Sequence, residues 1–230
     1  MAAMLVALIF ASIPGALSLQ AKDPEDVLTT YLSDLEKAVK NTTAKNLQDR
    51  AKLEQAAKLA FDRDLAGTSP SVPKPAWDYL HKHLDNLRLG DKKFPEDGSK
   101  AERALWIVAC KAVFTRELAR CKEPEAAPST EQLFESLFDA VREVDKMFPL
   151  AQDLRSDGIG SARVIYNQTL GKATPTSKDA KLLYTERLSR IDKTFPVTSD
   201  KEKSSNTESC AVLKTAAKTL FEKDLPGGKK

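Results

Sequence analysis

The chain has 230 residues, 41% hydrophobic and 30% charged, and its 9 glycines and 12 prolines are too few for a collagen-like or low-complexity chain. That length suits one or two domains with a core of their own, and three cysteines cannot form a dense disulfide framework. With 36 basic against 33 acidic residues, the total charge supplies no pull toward nucleic acid or an anionic membrane.

Met1 to Ile13 carry no charge and are almost all apolar, and Pro14-Gly15 then breaks the run. Ala16-Leu17-Ser18 places small residues at the minus three and minus one positions of a cleavage site, so residues 1–18 read as a secretory signal peptide, with a second candidate cut after Ala21. The run is shorter than the about 20 apolar residues that a spanning helix needs, and no later segment comes closer. The expected mature chain is soluble and exported, to the extracellular space or the lumen of a secretory compartment. Two glycan acceptor patterns suit that compartment, Asn41-Thr42-Thr43 and Asn167-Gln168-Thr169, which makes Asn41 and Asn167 candidate N-glycosylation sites.

From residue 19 onward the dominant signal is an internal repeat. Ala56-Ala57-Lys58-Leu59-Ala60-Phe61 recurs as Ala109-Cys110-Lys111-Ala112-Val113-Phe114, Ser161-Ala162-Arg163-Val164-Ile165-Tyr166 and Ala216-Ala217-Lys218-Thr219-Leu220-Phe221. The ring positions Phe61, Phe114, Tyr166 and Phe221 are separated by 53, 52 and 55 residues. A second pattern precedes the last three copies: Asp91 to Pro95, Asp145 to Pro149 and Asp192 to Pro196, each ending in Phe-Pro. The first copy has Lys37 to Asn41 at the equivalent place. Pro70, Pro124, Pro175 and Pro226 follow the four ring patterns and mark the linkers.

Within each unit the apolar residues recur at helical spacing, as in Leu133, Phe134, Leu137, Phe138, Val141 and Val144, or Tyr79, Leu80, His83, Leu84 and Leu87. The prolines after Phe94, Phe148 and Phe195 cannot continue a helix and bias the preceding residue out of the α region, so each phenylalanine marks a helix end. The second helix of each unit carries the ring pattern. The prediction is therefore an all-α chain of four αα-hairpin repeats of about 53 residues, eight helices in all, over residues 24–67, 75–121, 131–171 and 179–226, built as a compact bundle or a short solenoid. Gly158 and Gly160 predict a late start for the second helix of the third unit, because each costs about 1 kcal/mol inside a helix.

The repeat columns read as a packing code. The residue four before the ring is always small (Ala57, Cys110, Ala162, Ala217), the one just before it always apolar, and the basic column Lys58, Lys111, Arg163 and Lys218 lies on the solvated side. Cys110, in the small column, reads as a buried thiol. Cys110 and Cys121 lie about 16 Å apart on one helix, too far to bond each other. In an oxidising compartment Cys121 and Cys210 are then the expected disulfide, one that would favour a closed bundle.

Catalytic and metal patterns are missing. His81 and His83, two residues apart on a helix, lack the spacing of a zinc pair; Gly158 to Ala162 does not make a nucleophile elbow; and Thr169 to Thr174 departs from a phosphate loop, with Tyr166 where the first glycine belongs and Ala173 where Ser or Thr belongs. No local partner supports Cys121 as a nucleophile. Trp77, opening a helix after a Pro-rich linker, reads as a core or staple residue with an exposed anchor as the alternative. The leading expectation is a secreted non-enzymatic protein that presents its helical repeats to a macromolecule, a protein rather than nucleic acid, with no metal or cofactor. The alternative is a carrier of an apolar small molecule, a lipid or pigment, with the ring columns and Trp106 lining the cavity.

Overall fold

The structure, a computed structural model, describes residues 22–42, 46–68, 73–96, 99–122, 126–196 and 200–225, with side chains from 206 onward in the last stretch. The expected signal peptide at 1–18 and its alternative cut after Ala21 lie outside the described residues.

The described residues form eight helices and no strand: α1 (Pro24–Asn41), α2 (Leu47–Ala66), α3 (Ala76–Lys93), α4 (Lys100–Leu118), α5 (Thr130–Met147), α6 (Gln152–Leu170), α7 (Ala180–Thr194) and α8 (Asp200–Asp224). Helix starts follow local chemistry. The Asp23 carboxylate accepts from the Glu25 amide beside Pro24, Ser129 and Gln132 form a reciprocal capping box, and Asp179 accepts from the Leu182 amide. The Phe-Pro ends fall where the proline rule puts them. Phe94, Phe148 and Phe195 cap α3, α5 and α7 at φ near −120°, their amides still donate to Gly90, Val144 and Ile191, and their rings turn into the core. In the first unit the corresponding cap is Thr42, whose hydroxyl donates to the Ala38 carbonyl, so Asn41 is the last helical residue.

The helices pair as four hairpins, α1 with α2, α3 with α4, α5 with α6 and α7 with α8, and each hairpin packs its first helix on the second helix of the next: α1 on α4, α3 on α6 and α5 on α8. Contacts thus run in sequence order, which is a short stack and not a closed bundle. Inside three of the hairpins the ring residue meets a ring of the partner helix, while Tyr166 of the third donates its hydroxyl to the Ala216 carbonyl of α8. Tyr31 lies against Phe61, His83 against Phe114 and Tyr184 against Phe221, all with centroids 4.8 to 4.9 Å apart. Burying each such ring contributes about 1.5–3 kcal/mol. The small column Ala57, Cys110, Ala162 and Ala217 is buried throughout, and the basic column keeps its charges toward solvent.

The expectation that α6 starts late is overturned: it begins at Gln152 and runs through both glycines. A Cβ at Gly158 would stand 2.9 Å from Leu84 and 3.0 Å from Val144, so its missing side chain is what lets α6 close on α3 and α5, and that packing offsets the helical cost of glycine.

Polar side chains repeat with the same period. Eleven residues before the ring, three units place an arginine: Arg50, Arg103 and Arg155. Arg50 reaches Glu102 of the next hairpin. Arg103, almost wholly buried, holds Asp153 of the next hairpin with two bonds of 2.6 and 2.9 Å, and also Asp91 and the Phe94 carbonyl. Ser156 donates to Glu208 across the last joint. A buried guanidinium with every partner in place fixes the register of a joint; removing one partner of such a pair costs about 3–5 kcal/mol.

Candidate functional site

A hollow of about 840 Å³ lies between the second and third hairpins, at the end of the stack where α3 and α5 begin and α4 and α6 finish. Its position follows from a feature that both hairpins share. The Lys122 amide donates to the Lys74 carbonyl and, one period later, the Thr174 amide donates to the Pro128 carbonyl, each at 2.9 Å. These bonds tie the segment leaving a hairpin to the segment entering it. The Thr130 amide adds a bond to the Thr174 carbonyl. Two pinned rims face each other across the gap, and α3 enters it through Pro75 with Trp77 one turn from the rim.

Trp77, Leu118, Cys121 and Pro128 supply the apolar part of the lining, and Ser136 and Thr169 join two lysines, Lys122 and Lys172, in the polar part. Trp77 is half-buried and packs against the core while one edge faces the hollow. Its core packing fits the staple role, and its exposed edge lies on the hollow. A site that is partly apolar, open to solvent and edged by cations has the character of a docking groove.

The other clusters of polar chemistry lie in the joints. His83 is buried, Nε2 2.8 Å from Asp157, which also takes Lys111 at 3.3 Å. Cys110 lies in the same core region, where burial pushes its thiol well above the ordinary range and leaves it protonated. Between α2 and α4, Arg50, Glu54 and Glu102 line a smaller opening. Burial and a proton shared with Glu102 push Glu54 up to about 7, while Glu102, raised by burial but pulled down by Glu54 and Arg50, ends below the usual carboxylate range. At the last joint Asp224 accepts from the Thr130 hydroxyl at 2.6 Å and lies 3.6 Å from Arg187, whose guanidinium sits over the Phe134 ring. Among the described residues no three His, Cys, Asp or Glu side chains gather closely enough to hold a metal ion.

The expected sites fall as follows. The three cysteines are free thiols, and the Cys121–Cys210 disulfide is not formed. Cys121 lies seven residues after its ring and Cys210 eleven before its own, at opposite ends of the stack, about 27 Å apart along the helix direction at 1.5 Å per residue, where a disulfide needs Cα atoms within about 7 Å. Cys210 instead donates to the Phe195 carbonyl, in the position that Arg103 holds toward Phe94. Asn41 and Asn167 are both exposed, at the end of α1 and on α6; Thr43 of the first acceptor pattern lies outside the described residues. Trp106 is not part of the hollow; it is fully buried with its indole nitrogen bonded to the Asn86 carbonyl and its ring closed over Gly90.

The hollow itself was not visible in the sequence, because its lining comes from helix ends spread over positions 75 to 172 that only stacking brings together; the one pointer was Trp77 beside a Pro-rich linker. No helix of the described residues is long and apolar enough to cross a membrane. No family model, curated protein or solved structure matches the chain.

Proposed function

We propose that this is a non-enzymatic helical-repeat protein whose stacked hairpins present a surface to another protein, and that the hollow between the second and third hairpins is the point of contact. The observation that carries the reading is the hollow's build: an apolar floor from Trp77, Leu118 and Pro128, a cationic edge from Lys122 and Lys172, and rims pinned by backbone bonds. A rigid groove of this kind binds without first ordering itself, which lowers the entropic cost of association. Aromatic and apolar anchors in a desolvated floor are where such contacts concentrate their energy. The charge-free opening of the sequence and the exposed Asn41 and Asn167 support an exported compartment as the place where it acts.

A second reading, a carrier of an apolar small molecule, draws its support from the volume alone, which falls in the range of small-ligand pockets. The polar half of the lining and the open mouth weigh toward the protein partner. A photoreactive residue at Ser136, on the wall of the hollow, tests the reading against the same residue at Lys218, exposed on α8. Expected is one discrete protein adduct from position 136 that Trp77→Ala removes. Equal labelling from both positions would refute the interaction site, and a reproducible small-molecule mass in native mass spectrometry of the protein from its own source would transfer the hollow to the carrier reading.

A further inference from the structure

In every hairpin after the first, one face of the second helix is covered by the first helix of the preceding hairpin, and the covering helix always runs antiparallel. The covered columns lie eight, five and one residues before the ring: Trp106, Ala109 and Val113 on α4, Gly158, Ser161 and Ile165 on α6, Leu213, Ala216 and Leu220 on α8, the side chains among them all buried. On α2 the same columns are Leu53, Ala56 and Ala60, and among the described residues no helix covers them. Leu53 is 44% exposed and Leu59 beside it 63%. The opposite end of the stack is finished differently. Where α1, α3 and α5 turn Leu28, Leu80 and Phe134, then Leu32, Leu84 and Phe138, onto the next hairpin, α7 carries Lys181 and Thr185, both exposed. One end is capped with polar residues and the other is apolar, so head-to-tail continuation of the stack would set Lys181 and Thr185 against leucine.

We propose that α2 is a homodimer interface, in which α2 of a second copy supplies the missing antiparallel helix across a two-fold axis at Ala56. The face is self-complementary about that residue. With residue 56 opposite itself, Leu53 meets Leu59 of the second copy, Lys52 meets its Ala60, and Asp49 meets its Arg63, twice by symmetry. All of these residues lie within about 60° of one line along the helix at 100° per residue. Ala56 and Ala60 let the two backbones approach. Among the described residues Asp49 pairs with Lys52 at 3.3 Å and Arg63 with Asp64, all but Asp64 more than half exposed, so both can exchange partners without leaving a buried charge behind. One helix pair makes a small interface, below about 1,200 Å² in total, so the dimer should dissociate on dilution.

Sedimentation velocity on the full chain over a roughly hundredfold dilution tests this. Expected is a reversible monomer–dimer equilibrium that Ala56→Arg weakens at least about tenfold, with the thermal midpoint of the dilute monomer unchanged because residue 56 is exposed in it. Asp49→Arg and Arg63→Asp should each weaken the dimer and together restore it. A monomer at every concentration overturns the proposal, as does an association that Ala56→Arg leaves intact. Failure of the double charge reversal to restore association overturns the antiparallel register. Protection of α2 amides in a monomer, present only while Met1 to Ala21 remain attached, would give the face to that segment and overturn the dimer.

Discussion

Gly90 and Gly160 show how differently one residue type can be used. A Cβ on Gly90 would fall 1.9 Å from Cδ1 and 2.2 Å from Nε1 of Trp106, a rigid indole already bonded to the Asn86 carbonyl, so neither side can yield. Gly160, on α6, has nothing within 4 Å of that position. Gly90→Ala should therefore cost about 3 kcal/mol through overpacking, whereas Gly160→Ala should stabilise by about 0.5–1 kcal/mol by removing a helical glycine. Urea unfolding of the two variants checks both signs; a neutral Gly90→Ala would show that α3 and α4 are not in the contact described. Sequence reading could see both glycines but only their helical cost, since the neighbour that makes Gly90 necessary lies sixteen residues away on another helix.

At the level of the helices, the ends and faces were legible because their causes are local. Proline after phenylalanine stops a helix whatever surrounds it, and the capping box at Ser129 closes within four residues. The joints were not legible, because the arginine column and its acids become partners only when hairpins stack. One joint carries a pH signature. Glu54 retains its proton to about 7 in the folded protein but would lose it near 4.5 when unfolded. Between those values the folded state binds the extra proton, so this group lowers stability as pH rises from about 4.5 to 7. Glu54→Gln should remove that part of the slope, measured as the difference between the two proteins' urea stabilities across the range; parallel curves would mean that Glu54 and Glu102 share no proton.

For the whole molecule, contacts between neighbouring hairpins make stability a chain of local terms and not one undivided quantity. The two ends are the weak parts: α2 buries only Ala57, Phe61 and Leu65 and α7 only Leu183, Arg187 and Ile191, while α5, packed against α6 and α8, buries eight residues. Native-state hydrogen exchange at concentrations too low for self-association should show α2 and α7 amides opening at the lowest free energies and α5 amides at the highest. Identical opening energies would instead make the stack a single cooperative unit.

The sequence by itself determined the class of this protein, all-helical with four hairpin repeats, because a period near 53 residues and a proline-terminated helix are carried by neighbouring residues in one chain. It also marked the small column and the ring column, whose burial needs only the helical period. Tertiary structure alone decided that the hairpins stack in order, that Cys121 and Cys210 stand at opposite ends, that Trp106 is closed over Gly90 while Trp77 faces a hollow, and that one face of α2 is left uncovered by the described residues. Each of these depends on residues dozens of positions apart meeting across a joint, where steric fit and the pairing of buried charge set the geometry, and neither of those is written in any one stretch of chain.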